Sequence, residues 1–86
     1  MRYSVDHLYS YINKEGKTID RYLVTFKTNE NVTQKNVEFN IEYTVHENGR
    51  KTSYLQIMYE ESDELTKEER NMLFYILDRW AIQHLD

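Results

Sequence analysis

The sequence predicts an α+β fold, an antiparallel β-meander of three or four strands with a C-terminal α-helix packed on one face. Three observations predict it: a hairpin of period two in mid-chain, a capped helical segment at the C-terminus, and very few chain breakers. The 86 residues include no proline and only two glycines, at positions 16 and 49. A chain of this length forms one domain, and we expect it to span residues 1–86.

The central hairpin is the clearest element. Apolar and polar residues alternate through residues 37–45, the pattern of a half-buried strand. After the turn, Leu55, Ile57 and Tyr59 alternate with Tyr54, Gln56 and Met58. A two-residue loop would place the apolar sets of the two strands on opposite faces, whereas a three-residue loop at 47–49, with Gly49 left-handed, places them on one face. The three-residue loop predicts the pairs Ile41–Leu55, Phe39–Ile57 and Val37–Tyr59.

The N-terminal third of the chain contains one clear strand and one ambiguous segment. Residues 21–27 alternate, with Tyr22, Val24 and Phe26 on the core side. Residues 3–15 fit either a short helix that begins after Ser4 or a strand that ends near Ile12. Because tyrosine, serine, histidine, valine and asparagine are poor helix formers, we favour the strand, followed by a glycine-containing turn.

The C-terminal segment predicts a helix from Lys67 to about His84. Thr66 and Glu69 form a capping box, and neither glycine nor proline interrupts the rest of the segment. Its apolar arc is wider than packing on a single sheet requires. The lateral apolar residues therefore predict a homodimer surface, formed by Phe74, Tyr75, Ile82 and Leu85.

Composition excludes several kinds of chemistry. The chain has no cysteine, which excludes disulfides, thiolate zinc sites and cysteine nucleophiles. Its three histidines lack metal-ligand spacing, and two glycines cannot build a phosphate-binding loop. Asp6 and His7 are neighbours, but adjacent residues of a strand point to opposite faces. We expect a non-enzymatic protein without metal or cofactor.

Charge is unevenly distributed. The formal net charge is −4, and residues 60–69 contain six acids and one lysine, a local charge of −5 that leaves +1 for the rest. A protein built to neutralise phosphates has the opposite bias. This acidic stretch is either a solvated helix start or a docking surface.

Tyrosine is abundant, with eight residues in the chain. Tyr22, Tyr43 and Tyr59 are expected on the core face. If residues 7–12 form a strand, Val5, Tyr9 and Tyr11 lie on the other face beside Ile19 and Leu23. They form either an exposed interface, for which tyrosine is favoured, or a small second core covered by a loop. The residues predicted to bind a partner are Tyr9, Tyr11, Leu23, Tyr54, Glu60, Glu61, Asp63 and Glu64.

These patterns predict a small acidic protein-binding module that acts by protein–protein contact. A more specific form is an accessory factor or an inhibitor from a phage or mobile element. Anti-CRISPR proteins are similar in being small, acidic and free of motifs, and acidic side chains can occupy a basic nucleic-acid site of a target. The alternative is binding of single-stranded nucleic acid on the tyrosine-rich face, near Lys14, Lys17, Arg21 and Lys27. Glu38 and Glu42, on the same face, make nucleic acid an unfavourable partner.

The sequence also predicts a location. The first ten residues lack the apolar core of a signal peptide, and no apolar run approaches the roughly 20 residues of a membrane helix. We therefore expect a cytoplasmic protein that does not enter the membrane.

Overall fold

The computed structural model of the protein describes residues 2–85. Four strands precede one helix: β1 (Arg2–Ile12), β2 (Thr18–Lys27), β3 (Lys35–Val45), β4 (Lys51–Ile57), a 3-10 turn (Tyr59–Glu61) and α1 (Lys67–His84). The strands pair antiparallel with their sequence neighbours, in the order β1-β2-β3-β4. The predicted α+β meander is confirmed, and the N-terminal segment is a strand.

The second hairpin turn has the predicted three-residue form, and the glycine-containing first turn has the same form. In the second, the His46 amide donates to the Arg50 carbonyl at 2.8 Å, and Gly49 has a φ of +83°. Gly16 occupies the equivalent place in the first turn with a φ of +81°. Glycine adopts this left-handed conformation without steric cost. The resulting register pairs Ile41 with Leu55 and Phe39 with Ile57, as predicted.

The core lies between the sheet and α1. Thr66 and Glu69 form the predicted capping box that starts the helix. Trp80 is the largest helix residue in the core, with its ring centroid 4.8 Å from that of Tyr22 and 5.3 Å from that of Phe39. The buried core consists of Val24, Phe26, Val37, Phe39, Ile41, Leu73, Ile76, Leu77 and Trp80.

The predicted pairing of Val37 with Tyr59 is wrong. Strand β4 ends at Ile57. The Ser62 hydroxyl then accepts a hydrogen bond from the Glu38 amide and donates one to the Met58 carbonyl, at 2.9 and 2.7 Å. A side chain thus replaces one rung of the ladder, and Tyr59 enters the 3-10 turn, where it is exposed. Tyr22 and Tyr43 do pack against the core, as predicted.

The predicted orientation of Val5 is also wrong. Val5 lies opposite Val24 and His7 opposite Tyr22, but the next pair is Tyr9 with Arg21. The extra residue is Leu8, which forms a β-bulge and reverses the alternation of the side chains after it. Val5 therefore packs against the core, whereas Tyr9 faces away from the helix.

The molecule is elongated for its length. Its radius of gyration is 14.2 Å and its extents are 49 × 24 × 20 Å, whereas a compact domain of this length would have a radius of about 12 Å. Strands β1 and β3, of eleven residues each, account for much of this length because a strand rises about 3.3 Å per residue. Strand β1 lies at the edge of the sheet and is almost entirely exposed. Within residues 2–85, no helix combines the length and apolarity needed to span a bilayer.

Candidate protein-interaction surfaces

The face of the sheet away from α1, called here the open face, is organised around a buried arginine. Arg21 is only 6% exposed. Its Nε donates to Asn40 Oδ1, and its Nη1 donates to Glu38 Oε1 at 3.1 Å and to Glu61 Oε2. Burial acts to lower the pKa of Arg21, but the hydrogen bonds that Arg21 donates to Glu61 and Glu38 outweigh this effect and raise that pKa. The guanidinium therefore stays charged, with hydrogen bonds to Asn40, Glu38 and Glu61.

This network changes the interpretation of the acidic stretch. Glu61, predicted to bind a partner, contacts Arg21 within the chain. Asp63 accepts a hydrogen bond from the Asn36 amide at 2.9 Å, and its own amide donates to the Asn36 carbonyl at 3.0 Å. Glu61 thus holds the segment after β4 to β2, and Asp63 holds it to β3. Glu60 and Glu64 are exposed, and their carboxylates make no hydrogen bond or ion pair within residues 2–85.

Three of the predicted partner-binding residues lie along β1 and β2 on the open face. The ring centroids of Tyr9 and Tyr11 are 6.1 Å apart, and the Tyr9 ring lies 5.8 Å from Arg21 Cζ. Both tyrosines are about half exposed, but Ile19 opposite Tyr11 is only 5% exposed. The face thus has a small buried layer beneath an exposed aromatic surface. We call Tyr9, Tyr11 and Leu23 the tyrosine patch.

Tyr54 does not belong to the tyrosine patch. It lies on β4 opposite Glu42, and strands β2 and β3 separate it from β1. Its pairing with Glu42 places Tyr54 on the open face, the same face as Tyr9 and Tyr11, but at the opposite edge of the sheet, where it also lines a groove beside α1.

The basic residues near the tyrosine patch are largely paired with carboxylates. Phosphate binding draws its affinity from cations that replace condensed counterions on the nucleic acid. A cation already paired within the chain contributes less to that exchange. The observed ion pairs join Arg21 to Glu38 and Glu61, Lys17 to Glu15 and Glu42, and Lys27 to Glu30.

A serine, a histidine and an aspartate meet at the sheet edge, but not as a nucleophilic triad. His7 Nε2 lies 2.9 Å from Ser10 Oγ, and Ser10 Oγ donates to Asp20 Oδ1. The Ser10 hydroxyl therefore donates its proton in a hydrogen bond to the Asp20 carboxylate. In a nucleophilic triad, the serine hydroxyl instead donates to the imidazole. Asp6 lies opposite Leu23, on the other face from His7. Within residues 2–85, no three histidine or acidic side chains are placed to hold a metal ion.

An apolar groove, called here the edge groove, runs between β4 and α1. Phe74 lines it and is 49% exposed, whereas its neighbour Tyr75 has the same exposure, 50%, but lies outside the groove. Asp78 is the one charged residue of the lining. The groove is lined by Tyr54, Leu55, Gln56, Ile57, Tyr59, Phe74, Leu77, Asp78 and Ala81.

The backbone along the edge groove is free to pair. The Met58 amide donates to the Glu38 carbonyl, which fixes the alternation of the β3–β4 ladder. In an antiparallel pair, every second residue turns its peptide groups away from its partner strand. Leu55 and Ile57 therefore present N–H and C=O groups outward, and β4 is the last strand of the sheet.

The residues predicted for dimerisation separate in the structure. Phe74 lines the edge groove, Tyr75 and Ile82 are exposed elsewhere on α1, and Leu85 packs against the core. The sequence did not single out the rest of the groove. One signal could have predicted the groove. In a meander β4 is the last strand, so its outer edge is unpaired and lies beside the lateral residues of the helix.

The chain matches no family model, no curated protein and no solved structure.

Proposed function

We propose that the protein is a non-enzymatic binding module that receives an extended segment of another protein along β4. The observation that supports this most is the outward-facing backbone of Leu55 and Ile57 beside the edge groove. A strand added to a free sheet edge gains affinity from main-chain hydrogen bonds and specificity from pockets for alternate side chains. Phe74, half exposed next to that edge, supplies an aromatic surface for such a side chain.

Charge indicates the chemistry of the partner segment. Asp78 is the charged residue of the groove, exposed Glu60 adjoins Tyr59 at one end, and the chain carries a net charge of −4. A segment that alternates apolar residues with a lysine or arginine opposite Asp78 complements this surface. Asp78 would otherwise be desolvated without an opposite charge.

If the protein acts as an inhibitor through an acidic surface, fewer acidic residues are free to contact the target than the sequence predicted. Glu61 and Asp63 bond within the chain, so an acidic surface that occupies a basic site of a target would use Glu60 and Glu64. The segment that carries Glu60 and Glu64 continues directly from the end of β4. A target with a basic rim around an extended segment would engage both features.

The test compares two neighbouring aromatic residues of α1. Tagged wild-type protein, Phe74→Ser and Tyr75→Ser are used to capture partners from native host extract, and the recovered protein is quantified by mass spectrometry. We expect Phe74→Ser to lower recovery of the partner at least about tenfold, which corresponds to about 1.4 kcal/mol of binding free energy. Tyr75→Ser should leave recovery unchanged. Equal recovery with both variants would exclude the edge groove as the binding site.

A second measurement addresses nucleic acid. Labelled single-stranded DNA is titrated with the protein at low salt, where phosphate contacts are strongest. We expect no binding. Binding that Tyr9→Ala abolishes would instead support the alternative function on the open face.

A further inference from the structure

Strand β1 carries an unusual share of the exposed apolar surface. Among residues 2–85, eleven large hydrophobic residues are exposed, and five of them lie on this one strand. Edge strands that remain unpaired are usually protected by proline, by central charges or by a covering element. In β1 the protection is limited to Asp6 and the bulge at Leu8. The five residues are Tyr3, Leu8, Tyr9, Tyr11 and Ile12.

The backbone of the second half of β1 is available for pairing. The Asn13 amide donates to the Lys17 carbonyl at 2.9 Å, which fixes the alternation of the ladder after the bulge. Residues 9 and 11 then bond to β2, and Ser10 and Ile12 turn their peptide groups outward. No described element covers this edge, because β1 is the first strand of the sheet.

We infer that residues 8–12 of β1 pair antiparallel with the same residues of a second copy, about a two-fold axis at Ser10. In this register Tyr9 lies opposite Tyr11 of the second copy, and Leu8 lies opposite its Ile12. Apolar residues thus face apolar residues across the interface on both faces of the joined sheet. Cross-strand aromatic pairs of this kind stabilise a sheet. A two-fold interface requires this kind of self-complementarity.

Charge and the bulge select this register. Asp6 of one copy lies level with Lys14 of the other, so the charges that flank the segment are opposite. The bulge at Leu8 reverses the alternation of side chains along β1. Odd-numbered side chains lie on the helix side before the bulge and on the open face after it. A full-length register about His7 would oppose Tyr3, on the helix side, to Tyr11, on the open face. Pairing is therefore restricted to one side of the bulge.

The resulting dimer has one continuous sheet of eight strands. It covers the outer edge of β1, which is almost entirely exposed in the monomer. The interface lies on the opposite edge of the sheet from the edge groove, so both can be occupied at once. The inference is therefore independent of the proposed function.

Amide hydrogen exchange tests the inference on the wild-type chain. At high protein concentration, we expect the Ser10 and Ile12 amides to exchange at least about tenfold more slowly than after dilution. The Ser53 and Leu55 amides point outward at the other edge and serve as the internal control, with no dependence on concentration. Concentration-dependent protection at Ser53 and Leu55 instead would overturn the assignment to β1, as would rapid exchange of Ser10 and Ile12 at every concentration.

Matched variants provide the second test. Sedimentation of the wild type should give twice the chain mass of 10.6 kDa. Ile12→Asp and Val45→Asp each place a carboxylate at an exposed aliphatic residue, 72% and 64% exposed, but only Ile12 lies on a sheet edge. We expect Ile12→Asp to weaken dimerisation at least tenfold and Val45→Asp to leave it unchanged. A monomeric wild type, or dissociation by Ile82→Asp but not by Ile12→Asp, would overturn the inference.

Discussion

Arg21 and Glu61, 40 residues apart in the sequence, form an ion pair on the face of the sheet opposite the helix. The pair joins the middle of β2 to the 3-10 turn after β4. It therefore fixes the direction in which the chain leaves β4, and with it the position of Tyr59 at one end of the edge groove. A contact on the open face thus shapes a surface at the edge of the sheet.

Removal of the guanidinium should destabilise the protein strongly. Arg21→Met leaves the buried Asn40 side chain and the Glu38 carboxylate without their common donor, and we expect a loss of roughly 3 kcal/mol in the free energy of unfolding. Urea denaturation measures the loss. Lys14→Met, at an exposed residue of the first turn, should change stability by less than about 0.5 kcal/mol. A loss below about 1 kcal/mol for Arg21→Met would mean that the network is not coupled to folding.

Neutralisation of the exposed member of the pair should have a smaller, salt-dependent effect. The Glu61 side chain is half exposed, so we expect Glu61→Gln to cost no more than about 1 kcal/mol. The cost should shrink as salt is added, because salt screens exposed charges. Glu60→Gln serves as the control and should show no such dependence. An effect of Glu61→Gln that is independent of salt would argue against an electrostatic origin.

Alkaline pH should destabilise the fold through Tyr43. Burial, with the neighbouring Tyr22 hydroxyl and Asp20 carboxylate, raises the pKa of Tyr43 from 10.0 to about 12. Because the folded pKa lies above the unfolded one, the contribution is fully present below pH 10 and is lost as the pH rises towards 12. Denaturation at a series of pH values should show this decline, and Tyr43→Phe should flatten it. An unchanged slope in Tyr43→Phe would contradict the assignment.

Truncation of the helix anchor tests the packing of α1. Trp80 is buried against Phe39 and Tyr22, so we expect Trp80→Ala to lower the free energy of unfolding by roughly 3–5 kcal/mol. Ile82→Ala, at an exposed residue of the same helix, should have little effect. Similar losses for the two variants would mean that the helix packs by another face.

Periodicity in the sequence was sufficient to predict the main elements. The alternation in residues 37–45 and the glycine at 49 predicted the register of Ile41 with Leu55, since only one loop length places the apolar residues on one face. The capping box at Thr66 predicted the start of α1. Each of these signals depends on residues that are close together along the chain, so the sequence pattern alone is enough to recognise it.

The errors arose where one residue interrupts the regular pattern. Nothing in the sequence marks Leu8 as a bulge, and the bulge alone decides which face Val5 takes. The Ser62 hydroxyl ends β4 by replacing a backbone rung, so Tyr59 leaves the core. Arg21 occupies a polar position of an alternating strand, and its burial depends on Glu61, which lies far away in the sequence.

The candidate binding surface was predicted only in fragments. Tyr54 was predicted to bind a partner and Phe74 to form a dimer contact, and the structure brings both into one edge groove. Their juxtaposition depends on how α1 crosses the sheet beside β4, a tertiary relationship that neither periodicity nor composition specifies.

Site-specific photocrosslinking in the native host tests most directly whether the edge groove receives another protein. A photoreactive phenylalanine analogue replaces Phe74 in one variant and Tyr75 in the other, two adjacent residues of equal exposure. The proposed function predicts a covalent adduct with a different protein from position 74 and none from position 75. Equal labelling from both positions, or labelling from position 75 alone, would contradict it.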